Sequence, residues 1–117
     1  LQDRVKTINK VNADQVISIH LNKSDRSSDN GYEFYVSNKN EKFNESIALA
    51  TKISTHLPDN IAFVKIAKAN FYILHNINKP ATLIDLGYLS NKKDSHFITS
   101  EVGQEKIAQS IWTALAK

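Results

Sequence analysis

A histidine at the end of an apolar segment is the first candidate for chemistry in this sequence. His20 follows residues 16–19, which are mostly apolar and β-branched, as expected of a strand buried on both faces. Open α/β sheets bind ligands at the carboxyl ends of their strands, and imidazole is the commonest metal-ligating side chain. His20 is therefore a candidate metal ligand, and the pattern alone leaves open that it is a half-buried histidine with one hydrogen bond.

A carboxylate within the most apolar segment is the second candidate. Asp85 lies in residues 81–88, directly between Ile84 and Leu86. An ionised carboxylate is costly to bury unless a cation, a metal or several hydrogen-bond donors receive it. Asp85 is therefore either a functional carboxylate facing a cleft or an acceptor for the backbone N–H groups of the turn at 87–91.

Several other chemistries are disfavoured by residue types and spacing. The chain has no Cys, which excludes a disulfide framework, a thiolate metal site and a cysteine nucleophile. Its glycines are too far apart for a dinucleotide fingerprint or a phosphate-binding loop, and no serine lies in a Gly-x-Ser-x-Gly elbow. The other histidines, His56, His75 and His96, have no metal-ligand spacing with each other or with His20.

Length and charge indicate one globular domain over residues 1–117. A chain of 117 residues with 41% hydrophobic residues suits a single core. The net charge of +3 comes mostly from scattered lysines, with only Arg4 and Arg26 as arginines, which favours a solvated surface over a nucleic-acid partner. No apolar run approaches the ~20 residues of a membrane span. Because the sequence lacks Met, we expect a preceding part of the polypeptide to lie outside it.

The elements that must position His20 and Asp85 follow from hydrophobic periodicity. Apolar residues at helical spacing predict an opening helix over residues 1–11 and later helices over 43–57 and 102–116, the last with Ser100 as N-cap. Strands are predicted at 15–20, 31–36 and 81–88. Residues 62–66 and 71–74 are predicted to be short strands or an irregular crossing.

This order predicts an α/β fold. We expect a central mixed, mainly parallel sheet flanked by helices in a three-layer arrangement.

Three stretches, in this order, resemble the zinc-dependent N-acetylmuramoyl-L-alanine amidase family, which cleaves peptidoglycan. They are residues 12–22 (NADQVISIHLN), 31–36 (GYEFYV) and 79–91 (KPATLIDLGYLSN). The family pattern has an Ala-Asp strand ending in Ser-Ile-His-x-Asn, a Gly-x-Glu-x-Tyr strand, and a Pro-Ala-x-Leu-x-Glu-x-Gly-Phe-x-Ser-Asn strand before a C-terminal helix. The resemblance extends over the whole sequence and implies the C-terminal two-thirds of the family's domain, with its N-terminal part absent.

By this resemblance, His20 corresponds to the second zinc histidine, and Asp85 occupies the position of the glutamate that activates the zinc-bound water. The family's first zinc histidine and its glutamate ligand lie N-terminal to the matched part, and no residue here corresponds to either. Asp85 is one methylene shorter than glutamate, and a ~1 Å misplacement of a catalytic group can cost on the order of a hundredfold in rate. Tyr88 stands where the family has phenylalanine.

The resemblance implies an enzyme that hydrolyses the amide between the muramic acid lactyl group and L-Ala. Its partner would be peptidoglycan or a muropeptide, its cofactor zinc, and its location the cell envelope, either periplasmic or extracellular. We expect the chain by itself to be nearly inactive and to bind zinc weakly or not at all, because the ligand set is incomplete. The alternative is a degenerate, non-catalytic module that binds cell-wall fragments or a protein partner.

Overall fold

Four strands form one mixed sheet in the computed structural model, which describes residues 2–116. The strands are β1 (Val16–Asn22), β2 (Tyr32–Val36), β3 (Phe63–Lys68) and β4 (Ala81–Tyr88). Their order across the sheet is β1-β4-β2-β3, in which β1 runs parallel to β4, β3 runs parallel to β2, and β2 runs antiparallel to β4. The prediction of a mixed, mainly parallel sheet is confirmed.

Helices cover both faces of this sheet. They are α1 (Gln2–Lys10), α2 (Phe43–Ser54), α3 (Tyr72–His75), α4 (Lys92–Ile98) and α5 (Glu101–Leu115). Side chains alternate along each strand, so Ile84 packs with α2, α4 and α5 on one face, while Leu83 packs with α1 and α3 on the other. The three-layer prediction is therefore confirmed. No helix between residues 2 and 116 is long and apolar enough to cross a membrane.

The predicted long elements are present with small shifts at their ends. The strand predicted at 81–88 has those bounds, and the helix predicted at 43–57 ends at Ser54. Ser100 is the N-cap of α5, and its hydroxyl accepts the Gly103 N–H at 2.9 Å. Local patterns therefore located the elements that carry most of the core.

Short elements and edge positions differ from expectation. Residues 72–75 form a short helix rather than a strand, and α4 was not predicted. β1 is not buried on both faces: within residues 2–116 it is an edge strand that pairs only with β4, and Ile19 is 55% exposed. Helical spacing predicts one apolar face with Val102, Ile107, Ile111, Ala114 and Leu115, but the buried side of α5 follows Ile107, Ile111 and Ala114, while Val102 is 62% and Leu115 38% exposed.

A buried carboxylate joins the ends of two central strands. Asp94, which is 1% exposed, accepts the Gly31 N–H at 2.8 Å and the Tyr88 N–H at 3.1 Å on the same oxygen. Its own N–H donates to Asn91 Oδ1 at 3.0 Å, which caps α4. The first turn of α4 thus holds the start of β2 next to the end of β4.

Two glycines allow the backbone to reach this carboxylate. Gly31 and Gly87 have φ of +108° and +122°, which side chains other than glycine adopt rarely. A Cβ on Gly87 would lie 2.8 Å from Ile98 Cδ1 and 3.2 Å from the accepting Asp94 oxygen. Both the backbone conformation and the close packing therefore require glycine there.

We expect Asp94→Ala to lower the free energy of unfolding by about 3 kcal/mol or more, because two buried N–H groups lose their acceptor. Asp94→Asn, which keeps an oxygen, should cost less. Urea denaturation followed by circular dichroism measures both, with Asp25→Ala on the exposed loop as the control. An Asp94→Ala variant as stable as the control variant would contradict this role.

Candidate functional site

Three polar side chains form a row across neighbouring strands. His20 of β1 is the register partner of Asp85 of β4, and Asp85 is in turn the register partner of Glu33 of β2. Residues directly opposite in a sheet point to the same face. His20, Asp85 and Glu33 therefore lie side by side, on the face that packs against α1 and α3.

A pocket of about 290 Å³ opens beside this row. Both His20 and Asp85 line it. Its other walls come from the strands, from α1 and from the start of α3: Arg4, Ser18, Phe71, Tyr72, Ile73 and Leu83. The two candidates identified in the sequence thus share one cleft, with a guanidinium and apolar or aromatic side chains around them.

His20 lies near the end of β1 with its imidazole exposed. Its Nε2 is 2.9 Å from the Ser18 hydroxyl oxygen, which lies two residues earlier on the same face. This is the only side-chain hydrogen bond of His20 among the described residues. Nδ1 therefore remains available to a ligand, and a metal-binding role for His20 stays a prediction.

The side chain of Asp85 is half-buried and makes none of the hydrogen bonds found between residues 2 and 116. Three N–H groups of the turn after β4 donate to other acceptors: Tyr88 to Asp94, Leu89 to the Asn22 carbonyl and Asn91 to the Tyr88 carbonyl. The interpretation of Asp85 as a turn acceptor is therefore wrong, because Asp94 accepts from the turn instead. Its role in chemistry stays a prediction.

The surroundings of Asp85 favour its protonated form. Burial raises the pKa of the Asp85 carboxyl above its usual range, and the negative charge of Glu33 raises that pKa further. His20 has the opposite, smaller effect on the same pKa. A carboxyl with a raised pKa accepts a proton more readily than an ordinary surface aspartate.

Glu33 is the site residue that the sequence reasoning did not single out. It is 8% exposed, and two tyrosine hydroxyls donate to it, Tyr35 to Oε1 at 2.5 Å and Tyr88 to Oε2 at 2.7 Å. The hydrogen bond to Glu33 raises the pKa of Tyr88 to about 12, and burial raises the pKa of Tyr35. The available signal was the alternation in residues 31–36, which placed Glu33 and Tyr35 on the polar face of the strand.

The described residues do not by themselves fit a catalytic zinc. Between residues 2 and 116, no three His, Cys, Asp or Glu side chains are grouped so that they could hold a metal ion. Such a site normally has three protein ligands and an open position. Among the residues that the structure describes, His20 therefore lacks neighbouring side chains that would complete a zinc site with it.

Comparison with known proteins agrees with this α/β fold. A family model described as N-acetylmuramoyl-L-alanine amidase matches residues 1–117. The chain therefore belongs to the N-acetylmuramoyl-L-alanine amidase family, which confirms the resemblance seen in the three motifs.

Individual relatives cover the chain well but are longer than it is. It is 32% identical over 121 residues to the germination-specific N-acetylmuramoyl-L-alanine amidase of Bacillus subtilis, covering 100% of this chain and 49% of that protein. Over 103 residues it is 32% identical to the probable cell wall amidase LytH of Staphylococcus saprophyticus, covering 86% of this chain and 34% of that protein. The solved catalytic domain of the amidase CwlV from Bacillus (Paenibacillus) polymyxa superposes with a TM-score of 0.86 at 29% identity, covering 97% of this chain and 62% of that one. The chain thus spans about half the length of the B. subtilis relative.

We expect Asp85→Asn to unfold at a higher temperature than the unmodified chain at pH 7. The pKa of Asp85 in the folded state is raised above its unfolded value of about 3.9. As pH rises from the unfolded pKa through the folded pKa, ionisation of Asp85 therefore lowers the free energy of unfolding. Asparagine does not ionise, so the Asp85→Asn variant is spared this loss of stability. The difference in unfolding temperature between the two proteins should disappear well below pH 4, where Asp85 is protonated in both states. Thermal unfolding from pH 3 to pH 8 measures this, with Asp25→Asn as the exposed control. A difference that does not change with pH would contradict the explanation.

Proposed function

We propose that this chain supplies the His20 and Asp85 part of an amidase site that hydrolyses the bond between the muramic acid lactyl group and L-Ala in peptidoglycan. The observation that carries the proposal is the register pairing of these two residues on adjacent strands, where both line one pocket. Membership of the amidase family supports the type of reaction.

Asp85 is the proposed general base. Its carboxyl lies in the cleft, makes no hydrogen bond with other described side chains and has a raised pKa. It would take a proton from the attacking water as the water oxygen bonds to the amide carbonyl carbon. The same proton then passes to the amide nitrogen as the C–N bond breaks, which leaves the lactyl carboxylic acid and the amine of L-Ala; the acid then loses its own proton to solvent and becomes the carboxylate.

His20 is the proposed contribution of this chain to the family's zinc site. Its imidazole is exposed at the pocket, beside the Ser18 hydroxyl. The family pattern has two further zinc ligands in a part N-terminal to the matched residues. The proposal therefore includes low activity and weak zinc binding for the 117-residue chain alone.

The proposed place of action is the cell envelope, either periplasmic or extracellular. Peptidoglycan is found there, and the Staphylococcus saprophyticus relative is described as a probable cell wall amidase. The exposed rings of Phe71 and Tyr72 at the pocket, 44% and 37% exposed, offer apolar surface to a glycan or peptide.

A module that binds peptidoglycan without cleaving it is the second candidate function. Two observations favour it: Asp85 is one methylene shorter than the family's glutamate, and the described residues lack a three-ligand metal cluster. In that case the pocket would bind a cell-wall fragment without turnover.

Calorimetric titration with zinc tests the contribution of His20. We expect the 117-residue chain to bind zinc more weakly than micromolar, because one imidazole falls short of three protein ligands. His20→Ala should remove whatever binding is found, and His56→Ala, away from the pocket, should leave it unchanged. A one-to-one site tighter than micromolar that depends on His20 would show that this chain supplies ligands outside the proposal.

Substitution at Asp85 tests the catalytic role in the natural polypeptide that carries this sequence. Asp85→Glu should raise peptidoglycan amidase turnover by up to roughly a hundredfold, because it restores the reach of the carboxylate. Asp85→Asn should abolish turnover, and the exposed Asp59→Glu is the matched control. Release of new amino groups from peptidoglycan is the measurement.

Equal turnover with Asp, Glu and Asn at position 85 would remove Asp85 from the mechanism. Binding of peptidoglycan without release of amine by any of these variants would favour the non-catalytic module.

A further inference from the structure

Asp85 has two unlike neighbours in its row. On the β1 side its register partner is the imidazole of His20, and on the β2 side its register partner is the carboxylate of Glu33. No hydrogen bond with another described side chain holds the Asp85 carboxylate itself. Its direction within the cleft is therefore set by packing and by the charges on either side.

Glu33, by contrast, is held firmly. Tyr35 donates to one of its carboxylate oxygens and Tyr88 to the other. The Tyr35 ring packs edge-on against Phe71, with the ring centres 5.7 Å apart. A carboxylate that accepts on both oxygens and is 8% exposed has little freedom to move.

We propose that Glu33, held by Tyr35 and Tyr88, is a positioning residue that turns the Asp85 side chain away from β2 and toward His20. Like charges directly opposite in a sheet repel, and an aspartate side chain can choose among three staggered χ1 rotamers. With Glu33 immobile, the carboxylate that is free to turn is that of Asp85.

The catalytic consequence rests on the proposed function. Asp85 has a shorter reach than the glutamate of the family pattern, so its direction decides whether it meets a substrate beside His20. Errors of ~1 Å in the placement of a catalytic group are costly. The Tyr88 hydroxyl, which the phenylalanine of the family pattern lacks, supplies one of the two bonds that hold Glu33.

The χ1 rotamer of Asp85 in the 117-residue chain tests the proposal without any need for activity. Three-bond couplings from the Asp85 Cγ to the backbone nitrogen and carbonyl carbon, measured by NMR, report this angle. We expect one dominant rotamer in the unmodified chain and averaged couplings in Glu33→Gln, which keeps the shape and removes the charge.

The matched control is Tyr32→Phe. Tyr32 lies on the same strand but on the opposite face, where its hydroxyl donates to the Pro58 carbonyl. The Tyr32→Phe substitution should leave the Asp85 couplings unchanged. If Glu33→Gln does not fold, Tyr88→Phe takes its place, because it frees one Glu33 oxygen at a half-buried position and should also broaden the Asp85 rotamer distribution.

Kinetics of the natural polypeptide give the second measurement. Glu33→Gln should lower kcat roughly tenfold with little change in KM, since it misdirects the base without removing substrate contacts. If no variant turns over peptidoglycan but the Asp85 rotamer distribution still changes in Glu33→Gln or Tyr88→Phe, the proposed function is contradicted. The positioning role of Glu33 is then still supported. Asp85 couplings that are the same in the unmodified chain and in the folded Glu33→Gln or Tyr88→Phe variant would overturn the positioning role.

Discussion

The Asp94 carboxylate is the interaction on which the geometry of the site depends. One of its oxygens accepts N–H groups from both Gly31 and Tyr88, at the start of β2 and the end of β4. These strands run antiparallel, so joining those ends fixes which residues face each other between them, including Glu33 and Asp85. Because Asp94 is buried, any slip of one strand would leave a polar group without a partner, which the fold cannot tolerate cheaply.

The opposite end of β4 is fixed in the same manner by side chains from α2 and the segment before it. The Ser46 hydroxyl accepts the Ala81 N–H at 2.9 Å and donates to the Lys42 carbonyl. The buried Asn40 amide donates to backbone carbonyls in and after α3, those of Leu74, Ile77 and Lys79. β4 is therefore held at both ends by buried side-chain to backbone hydrogen bonds, and the one residue of its interior that is polar and ionisable is Asp85.

Sequence patterns predicted what depends on local periodicity. The apolar run at 81–88, the helical spacing at 43–57 and the Ser100 cap each correspond to an observed element.

Sequence patterns could not predict the contacts that join residues far apart in the sequence. Asp94 lies in a polar stretch typical of a surface turn, and it is buried only because β2 and β4 meet there. Glu33 is held partly by Tyr88, which is 55 residues away, so its motif indicated a polar strand face but not the bonds that immobilise it. The four residues of α3 are too few for a helical period to be visible.

One edge of β1 leaves room for the sheet to grow. Among residues 2–116 this strand pairs on one side only, and Ile19 and Leu21 beside that edge are 55% and 45% exposed. Such an edge accepts a further strand readily, and left open it also attracts unwanted pairing with other chains. The row of His20, Asp85 and Glu33 uses the other side of β1, so a strand added at the free edge would enlarge the domain without changing the register of that row. Growth of the sheet at this edge is thus independent of the strand pairing that brings His20, Asp85 and Glu33 together.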